Sequence, residues 1–553
     1  MISTYTLNHF GIVAGLCNEL QITDKIDLLI PHDKQQKVTT GQVVVAMIIN
    51  GLGFSNRRLY LFPQFLENKP IKLLIGKNLS AEDFNDDTLG RALDKIYNYG
   101  CTELFCHIAY LATSISQAEK KFGHLDTTTF SFSGDYKSIM SEEEAVAVHI
   151  THGHSKQKRF DLKQIFLNLL VCSDGGIPIF MQVLDGNSND TVTFRKTVTD
   201  FRRGLKENLQ EITYWIADSS FYCKDTLEET KDEMLWISRV PEKISEAKEL
   251  IRSIASQLVN KIGKDKQLEK SLNRQGYSYD QHFSNYAGVK QRWLVIYSKP
   301  AQSRSEHTVL KAVKKEYDKL IQVSKKLQKE GFSSEEAAKK SLEKLQKKTK
   351  YHKYRLEQVR QTSKYINRGR PSKNKNSEKI IVYNVDYTII KEQNSIDREI
   401  IKRAVFIVAT NELSSDALTD QELFDRYKGQ QHVERGFRFL KDPLFFASSM
   451  FLKKPERIIA LTMIMCFSLL VYTIGERKLR KALILSNETI NNQVRKPSQR
   501  PTLRWIFQLF EDVHLVKIEK KGKTHFEVKN LRSGGIKALE MLGREYLDKY
   551  LMN

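Results

Sequence analysis

A chain of 553 residues exceeds what a single hydrophobic core usually serves, so several domains are expected, one of them interrupted by an insertion. The formal charge of +22, with a pI near 9.4, makes nucleic acid the first partner to consider, beside the plainer reading that the charge only keeps the protein dispersed. Six scattered cysteines without a CxxC pair disfavour both a disulfide framework and a structural zinc site and point to a cytosolic setting. No charged-then-apolar leader opens the chain, so secretion is not expected.

Residues 1–116 show apolar positions at helical spacing, as in "TTGQVVVAMIINGLGF", and are expected to form a helical domain, either a DNA-end reader or plain scaffold. Cys101, Cys106 and His107 on one of its helices read as core residues. The period then becomes strand-like, in "FGHLDTTTFSFSG", "EAVAVHITHG" and "IFLNLLVCSDGGIPIFMQVLDGNSND", whose "SDGG" signals a hairpin. A helix over Thr191 to Asn208 and a strand in "ITYWIADSSFYC" complete the first part, 117–240, of an α/β core.

From 241 to 412 the pattern predicts a β-rich insertion with strands at "YAGVKQRWLVIYS", "KIIVYNVDYTII" and "RAVFIVATN". Within it, residues 301–375 hold 22 Lys or Arg against 8 Asp or Glu, on segments with helical periodicity. Their basic face is either a DNA surface or merely solvated. Arg368, Gly369, Arg370 and Pro371 match the core of an AT-hook, which an ordinary basic loop also matches. Residues 413–485 return to the core. Ser415 to Lys441 reads as one helix, opened by the capping box Thr419 to Glu422 and stopped by Pro443. Ile458 to Ile474 is uncharged over 17 residues, a length that favours a buried core helix over a membrane span. Residues 486–553 read as a helical, basic C-terminal region.

Three acids stand where a charge is unexpected: Asp126 in the first core strand, Asp218 closing "YWIAD", and Glu434 within the capped helix. Carboxylates at sheet ends suit hard divalent cations, and a pair of such ions serves displacement at a phosphodiester. Each acid also has a local reading. Asp126 can bond its neighbouring threonines, Asp218 can start a turn, and Glu434 can pair with Arg438. Asp174, Asp185 and Asp190 read as turn residues, Asp190 remaining a minor candidate.

With these acids in this order, 92 and 216 residues apart, the chain resembles the DDE transposases of bacterial insertion sequences. It looks most like the branch with a β-rich insertion ahead of the glutamate helix and a Y-x2-R-x3-E-x6-K signature. "YKGQQHVERGFRFLK" supplies Tyr427, Glu434 and Lys441 at the matching offsets, while Gln430 stands at the arginine position, where an amide cannot replace a guanidinium fork. All four positions fall on one side of the expected helix.

The resemblance implies a fold of the RNase H-like class: a mixed sheet flanked by helices, interrupted by the insertion. It implies two Mg²⁺ ions, with Mn²⁺ as a substitute, held by Asp126, Asp218 and Glu434. DNA, as transposon ends and target, is the implied partner, bound by a dimer or higher assembly without a membrane. Lys156, Lys158 and Arg159 are placed along the DNA path, with phosphate or turn roles for His149, His152 and His154. Trp293 is placed either against a displaced base or in the core. Two other functions fit the same residues: a transposase-derived DNA-binding protein without catalysis, and another metal-dependent nuclease.

Overall fold

The computed structural model describes residues 2–33, 35–54, 61–132, 148–153, 159–188, 212–261, 272–273, 275–327, 330–365, 379–442, 452, 454–520 and 522–551. They form two compact units. One comprises Met1–Ser238, Asn285–Val289 and Thr410–Asn553, the other Arg239–Ser284 and Lys290–Ala409.

The first unit opens with a short strand, β1 (Ile2–Thr6), followed by α1 (Phe10–Glu19), α2 (Thr40–Leu52), α3 (Asp86–Tyr99) and α4 (Cys101–Ile115). Local sequence sets the helix starts. Gln42 N donates to Thr39 Oγ1 at 3.1 Å while Thr39 N donates to Gln42 Oε1 at 3.0 Å, a reciprocal cap at the head of α2. Asn85 Oδ1 accepts from Thr88 N at 2.9 Å at the head of α3. The chain then enters β2 (Phe122–Phe132), β3 (Lys163–Cys172) and β4 (Pro178–Leu184), an antiparallel meander. The turn between β3 and β4 uses Gly175 and Gly176 at φ +85° and +68°, the left-handed region that the "GG" of "SDGG" permits.

Two short strands, β5 (Tyr214–Ala217) and β6 (Leu235–Arg239), extend the sheet on the other side of β2, each parallel to its neighbour, in the order β4-β3-β2-β5-β6. The expected helix over 191–208 lies outside the described residues. Of the expected strand over 144–153, the described part contributes only a bridge from Thr151 to Gln164.

The second unit contains α5 (Ser245–Lys261), the antiparallel pair β7 (Tyr277–Ser284) and β8 (Gln291–Ser298), α6 (Lys299–Leu327), α7 (Glu335–Gln346), β9 (His352–Tyr365), β10 (Lys379–Lys391), α8 (Gln393–Lys402) and β11 (Val405–Thr410). Strands β9 and β10 form a long two-stranded ribbon, and β11, β8 and β7 stand in that order. Helix α6 buries one stripe: Val309 and Val313 pack with Tyr351, Ile396 and Ile400, and Leu327 packs with Ala338, Leu342 and Val385.

The chain returns to the first unit through α9 (Asp420–Lys428), α10 (Gln431–Leu440), α11 (Pro455–Leu485), β12 (His514–Lys520), β13 (Lys523–Lys529) and α12 (Arg544–Leu551). Strand β1 pairs antiparallel with β12, which pairs with β13. The first residues are therefore a strand rather than the start of a helical array, and the last region holds a hairpin. Five residues carry too little periodicity to reveal a partner at the far end of the chain.

Helix α11 is long and apolar enough to cross a membrane, yet 89% of its apolar window is buried by protein, with α2, α3 and α4 packed on it. Its Thr462 and Ser468 hydroxyls donate to Ile458 O and Ile464 O at 2.8 and 3.1 Å, so no polar group is stranded there.

Arg457 at the head of α11 forks onto Asp94 of α3, Nε to Oδ1 and Nη2 to Oδ2 both at 2.7 Å. The guanidinium holds the Asp94 carboxyl below its ordinary value. The pair thus stabilises the fold above the ordinary aspartate range and loses that contribution as pH falls through the lowered value. Thermal melts of Asp94→Asn and the parent are expected to differ at neutral pH and to converge as pH falls through the lowered value. The pair is partly exposed, so the gap is expected to be only a few degrees.

Candidate active site

Parallel pairing of β2 and β5 sets Leu125 beside Ala217. The next residues are Asp126, inside β2, and Asp218, just past the end of β5, so the two aspartates stand at one level on neighbouring parallel strands. Strand succession reverses between these two strands, β2 leading to β3 on one side and β5 to β6 on the other. In open α/β sheets the carboxyl ends at such a reversal form the binding crevice. Asp218 is exposed just beyond β5 and Asp126 is half-buried. Ser220 N donates to Asp218 Oδ1 at 2.9 Å, and the Ser220 hydroxyl donates to the same oxygen. Ser238 Oγ on β6 donates to Asp218 O at 2.8 Å, which fixes the loop. Thr127 N donates to Asp126 Oδ1 at 2.7 Å. The local bonds foreseen for both aspartates are therefore present, in addition to the placement at the crevice.

Glu434 arrives on α10, whose two ends are pinned to β2. At its head Gln430 Nε2 donates to Leu125 O at 3.1 Å; past its last turn Lys441 Nζ lies 5.8 Å from the centre of the Phe130 ring. The helix therefore runs along β2 in the same direction. Four residues of helix advance about 6 Å, and one to two residues of strand advance about 3–7 Å, which sets Glu434 abreast of Asp126. A third contact agrees: a Cβ on Gly436 would lie 3.6 Å from Leu169 Cδ2, and Leu169 is the cross-strand partner of Asp126. Glu434 is exposed and makes no ion pair with Arg438 among the described residues. Nor, among the described residues, do three His, Cys, Asp or Glu side chains close into a ready-made metal cage. The backbone sets Asp126 and Asp218 at one level and lays the helix of Glu434 along β2, with Asp218 and Glu434 exposed.

The single helix expected over Ser415 to Lys441 is two. Thr419 Oγ1 accepts from Glu422 N at 3.2 Å and starts α9, as the cap predicts, but the ladder tightens at Gly429 and Gln430. There Gln430 N bonds Tyr427 O at 3.1 Å and His432 N bonds Gly429 O at 2.8 Å. Tyr427, half-buried in the last turn of α9, does not share a helix with Glu434. The cause is close approach: a Cβ on Gly429 would lie 2.8 Å from Cε1 of His124. Gly429→Ala is expected to push α10 off β2 and cost about 1–3 kcal/mol, measurable by denaturant unfolding.

The half-buried Gln430 amide is turned towards β2 and His124. His124 is completely buried on β2, on the same strand face as Asp126. Its Nδ1 lies 3.3 Å from Gln430 Oε1 and its Nε2 lies 2.6 Å from Ser173 Oγ. Burial pushes the imidazole down to about 3 and keeps it neutral. His124 and Ser173 were not among the expected site residues, although the two-residue spacing of His124 from Asp126 is a readable signal.

Trp293 is fully buried on β8, its ring N–H donating to Gln291 Oε1 at 3.1 Å, and cannot stack on a base without leaving the core. Arg159 is exposed but forks onto Asp161 at 2.9 and 2.7 Å. Asp174 does more than turn the chain, since it accepts both Arg477 of α11 and Glu119 N. Asp185 Oδ1 accepts from His149 N at 2.7 Å. Lys156, Lys158, His154, Asp190, Arg368 and Arg370 lie outside the described residues.

Asp126 within β2 and Asp218 just past the end of the parallel strand β5 thus stand at one level, with Glu434 on a helix laid along β2. The family model described as "Transposase DDE domain" matches residues 119–471, well over half of the chain, and the chain belongs to that family. Residues 2–110 match a second model, described as a domain of unknown function (DUF4277). Among solved structures, the chain is similar to a piggyBac transposase synaptic complex with hairpin DNA. Identity is 10% and the TM-score 0.36, over 90% of this chain and 80% of that one. No curated protein matches.

Proposed function

We propose that the protein is the transposase of an insertion sequence, which binds its element's terminal inverted repeats, cuts at the ends and joins the freed 3′-hydroxyls to target DNA. What supports this reading is the level placement of Asp126 and Asp218 on neighbouring strands, with the helix that carries Glu434 pinned along β2. The donor set is oxygen alone. It suits Mg²⁺, which keeps several waters and takes only one or two carboxylates besides substrate oxygens, so an open crevice fits such ions. Asp126, Asp218 and Glu434 would hold the pair. When bound, the ions supply Lewis acidity, which activates a water or 3′-hydroxyl and stabilises the departing oxygen.

The chain's own residues orient and hold. Ser220 and Ser238 fix the Asp218 loop. Arg438 and Lys441, one and two turns beyond Glu434, offer cations to the phosphates flanking the scissile bond. The exposed lysines of α6 and α7 hold duplex DNA through its backbone. Displacement is in line at phosphorus, without a covalent enzyme intermediate. Pairing two ends calls for a dimer or larger assembly on DNA, at the nucleoid in the cytoplasm.

The test is incubation with a duplex carrying the repeat read from the DNA flanking the reading frame, against a scrambled end, in Mg²⁺. Cutting at the repeat with a strand-transfer product is expected. Binding without nicking in Mg²⁺ or Mn²⁺ would make the protein a non-catalytic descendant, and cutting that ignores the repeat would make it a nuclease.

A further inference from the structure

We infer that Gln430 is a positioning residue for the reaction: its amide, which both donates and accepts, locks the glutamate helix to the strand bearing Asp126. The inference rests on the transposase reading given above.

The bonding order around this side chain is fully determined. Gln430 Nε2 donates to Leu125 O at 3.1 Å, so Oε1 is the atom facing His124 Nδ1 at 3.3 Å. An amide oxygen only accepts, so Nδ1 carries the imidazole proton and Nε2 is left as an acceptor. Ser173 Oγ, 2.6 Å from Nε2, is then its donor. Ser173, His124, Gln430 and Leu125 O thus form one directed chain with every member satisfied.

The position asks for one donor and one acceptor on a side chain of this length. Glutamine has both. Glutamate has acceptors only and would confront Leu125 O.

The geometry links this chain to the site. Leu125 directly precedes Asp126, and Glu434 lies one helical turn beyond Gln430. Gly429 leaves room for the approach, because any side chain there meets the His124 ring. Gln430 therefore sets the distance between two acids that it does not touch.

The experiment compares Gln430→Glu and Gln430→Ala with the parent in three measurements: melting temperature, Mn²⁺ binding by calorimetry without DNA, and cleavage of the repeat-bearing duplex resolved into kcat and KM. Both variants are expected to lower kcat about 10- to 100-fold and to weaken Mn²⁺ binding over a similar range, as loss of a partner that orients a ligand does. KM for the duplex is expected to stay within about 2-fold, since no DNA contact is lost. His124→Asn, which keeps a donor near the place of Nδ1, is expected to lose less than His124→Leu.

Unchanged kcat and Mn²⁺ affinity in folded Gln430→Glu would overturn the inference. A raised KM at constant kcat would overturn it too, by making Gln430 a DNA contact. A parent protein that neither binds Mn²⁺ nor cuts the duplex overturns the transposase reading itself, and the inference with it, whatever the variants do.

Discussion

Asp126→Asn is expected to reduce Mg²⁺-dependent cleavage of a repeat-bearing duplex by about 10³-fold or more while leaving duplex binding intact. The size follows from the role. Lewis-acid stabilisation at a phosphoryl group is worth several kcal/mol, and each 1.4 kcal/mol or so is a factor of ten in rate. The substitution is mild for the fold. Asparagine keeps the oxygen that accepts from Thr127 N, Asp126 is only half-buried, and its neighbours on β2 are unchanged. Removing a negative charge from a crevice that faces phosphates favours binding if it alters it at all. Gel-based cleavage and anisotropy binding on the same preparation, with a melt to establish folding, separate the two effects. Cleavage within about 10-fold of the parent would remove Asp126 from the chemistry, given that a lost metal ligand costs far more.

What the sequence could reveal depended on how local the cause was. The helix starts at Thr39, Asn85 and Thr419 are written in neighbouring residues, and so is the hairpin at "SDGG", because caps and turns are contacts over three or four positions. Asp126 stood out because a charge in a buried strand needs a reason. The pairing of β1 with β12 was invisible because its partner lies at the other end of the chain. The break between α9 and α10 was hidden for a related cause. Nothing within "YKGQQHVERG" forbids a continuous helix; the approach of His124, from a strand some 300 residues earlier, requires Gly429 and draws the Gln430 amide inward. Gln430 was legible as a departure from the signature, but its meaning was not, since the carbonyl and imidazole it serves are brought to it only by folding. Trp293 shows the converse: an aromatic residue that is attractive for stacking sits in a strand whose burial no local pattern fixes.

Replacing Lys311, Lys314, Lys315, Lys319, Lys325 and Lys326 of α6 together by glutamine is expected to weaken binding of the repeat-bearing duplex at least 10-fold at moderate salt. It is also expected to flatten the log–log salt dependence by about 2–5, because each lost phosphate contact removes about 0.9 from that slope. All six are exposed, and among the described residues none makes an ion pair, so no internal partner is stranded by the change. The stripe that fastens the helix, Val309, Val313, Leu320 and Leu327, is untouched, and glutamine matches lysine closely in helix propensity. Stability is therefore expected to hold while affinity falls, and cleavage at saturating DNA is expected to persist. That pattern is the reverse of the one for Asp126→Asn, so the two variants together separate holding the duplex from cutting it. Anisotropy titrations across a salt series measure the slope directly. An unchanged slope would mean that the net +14 of residues 301–375 serves solubility and that the duplex lies elsewhere on the protein.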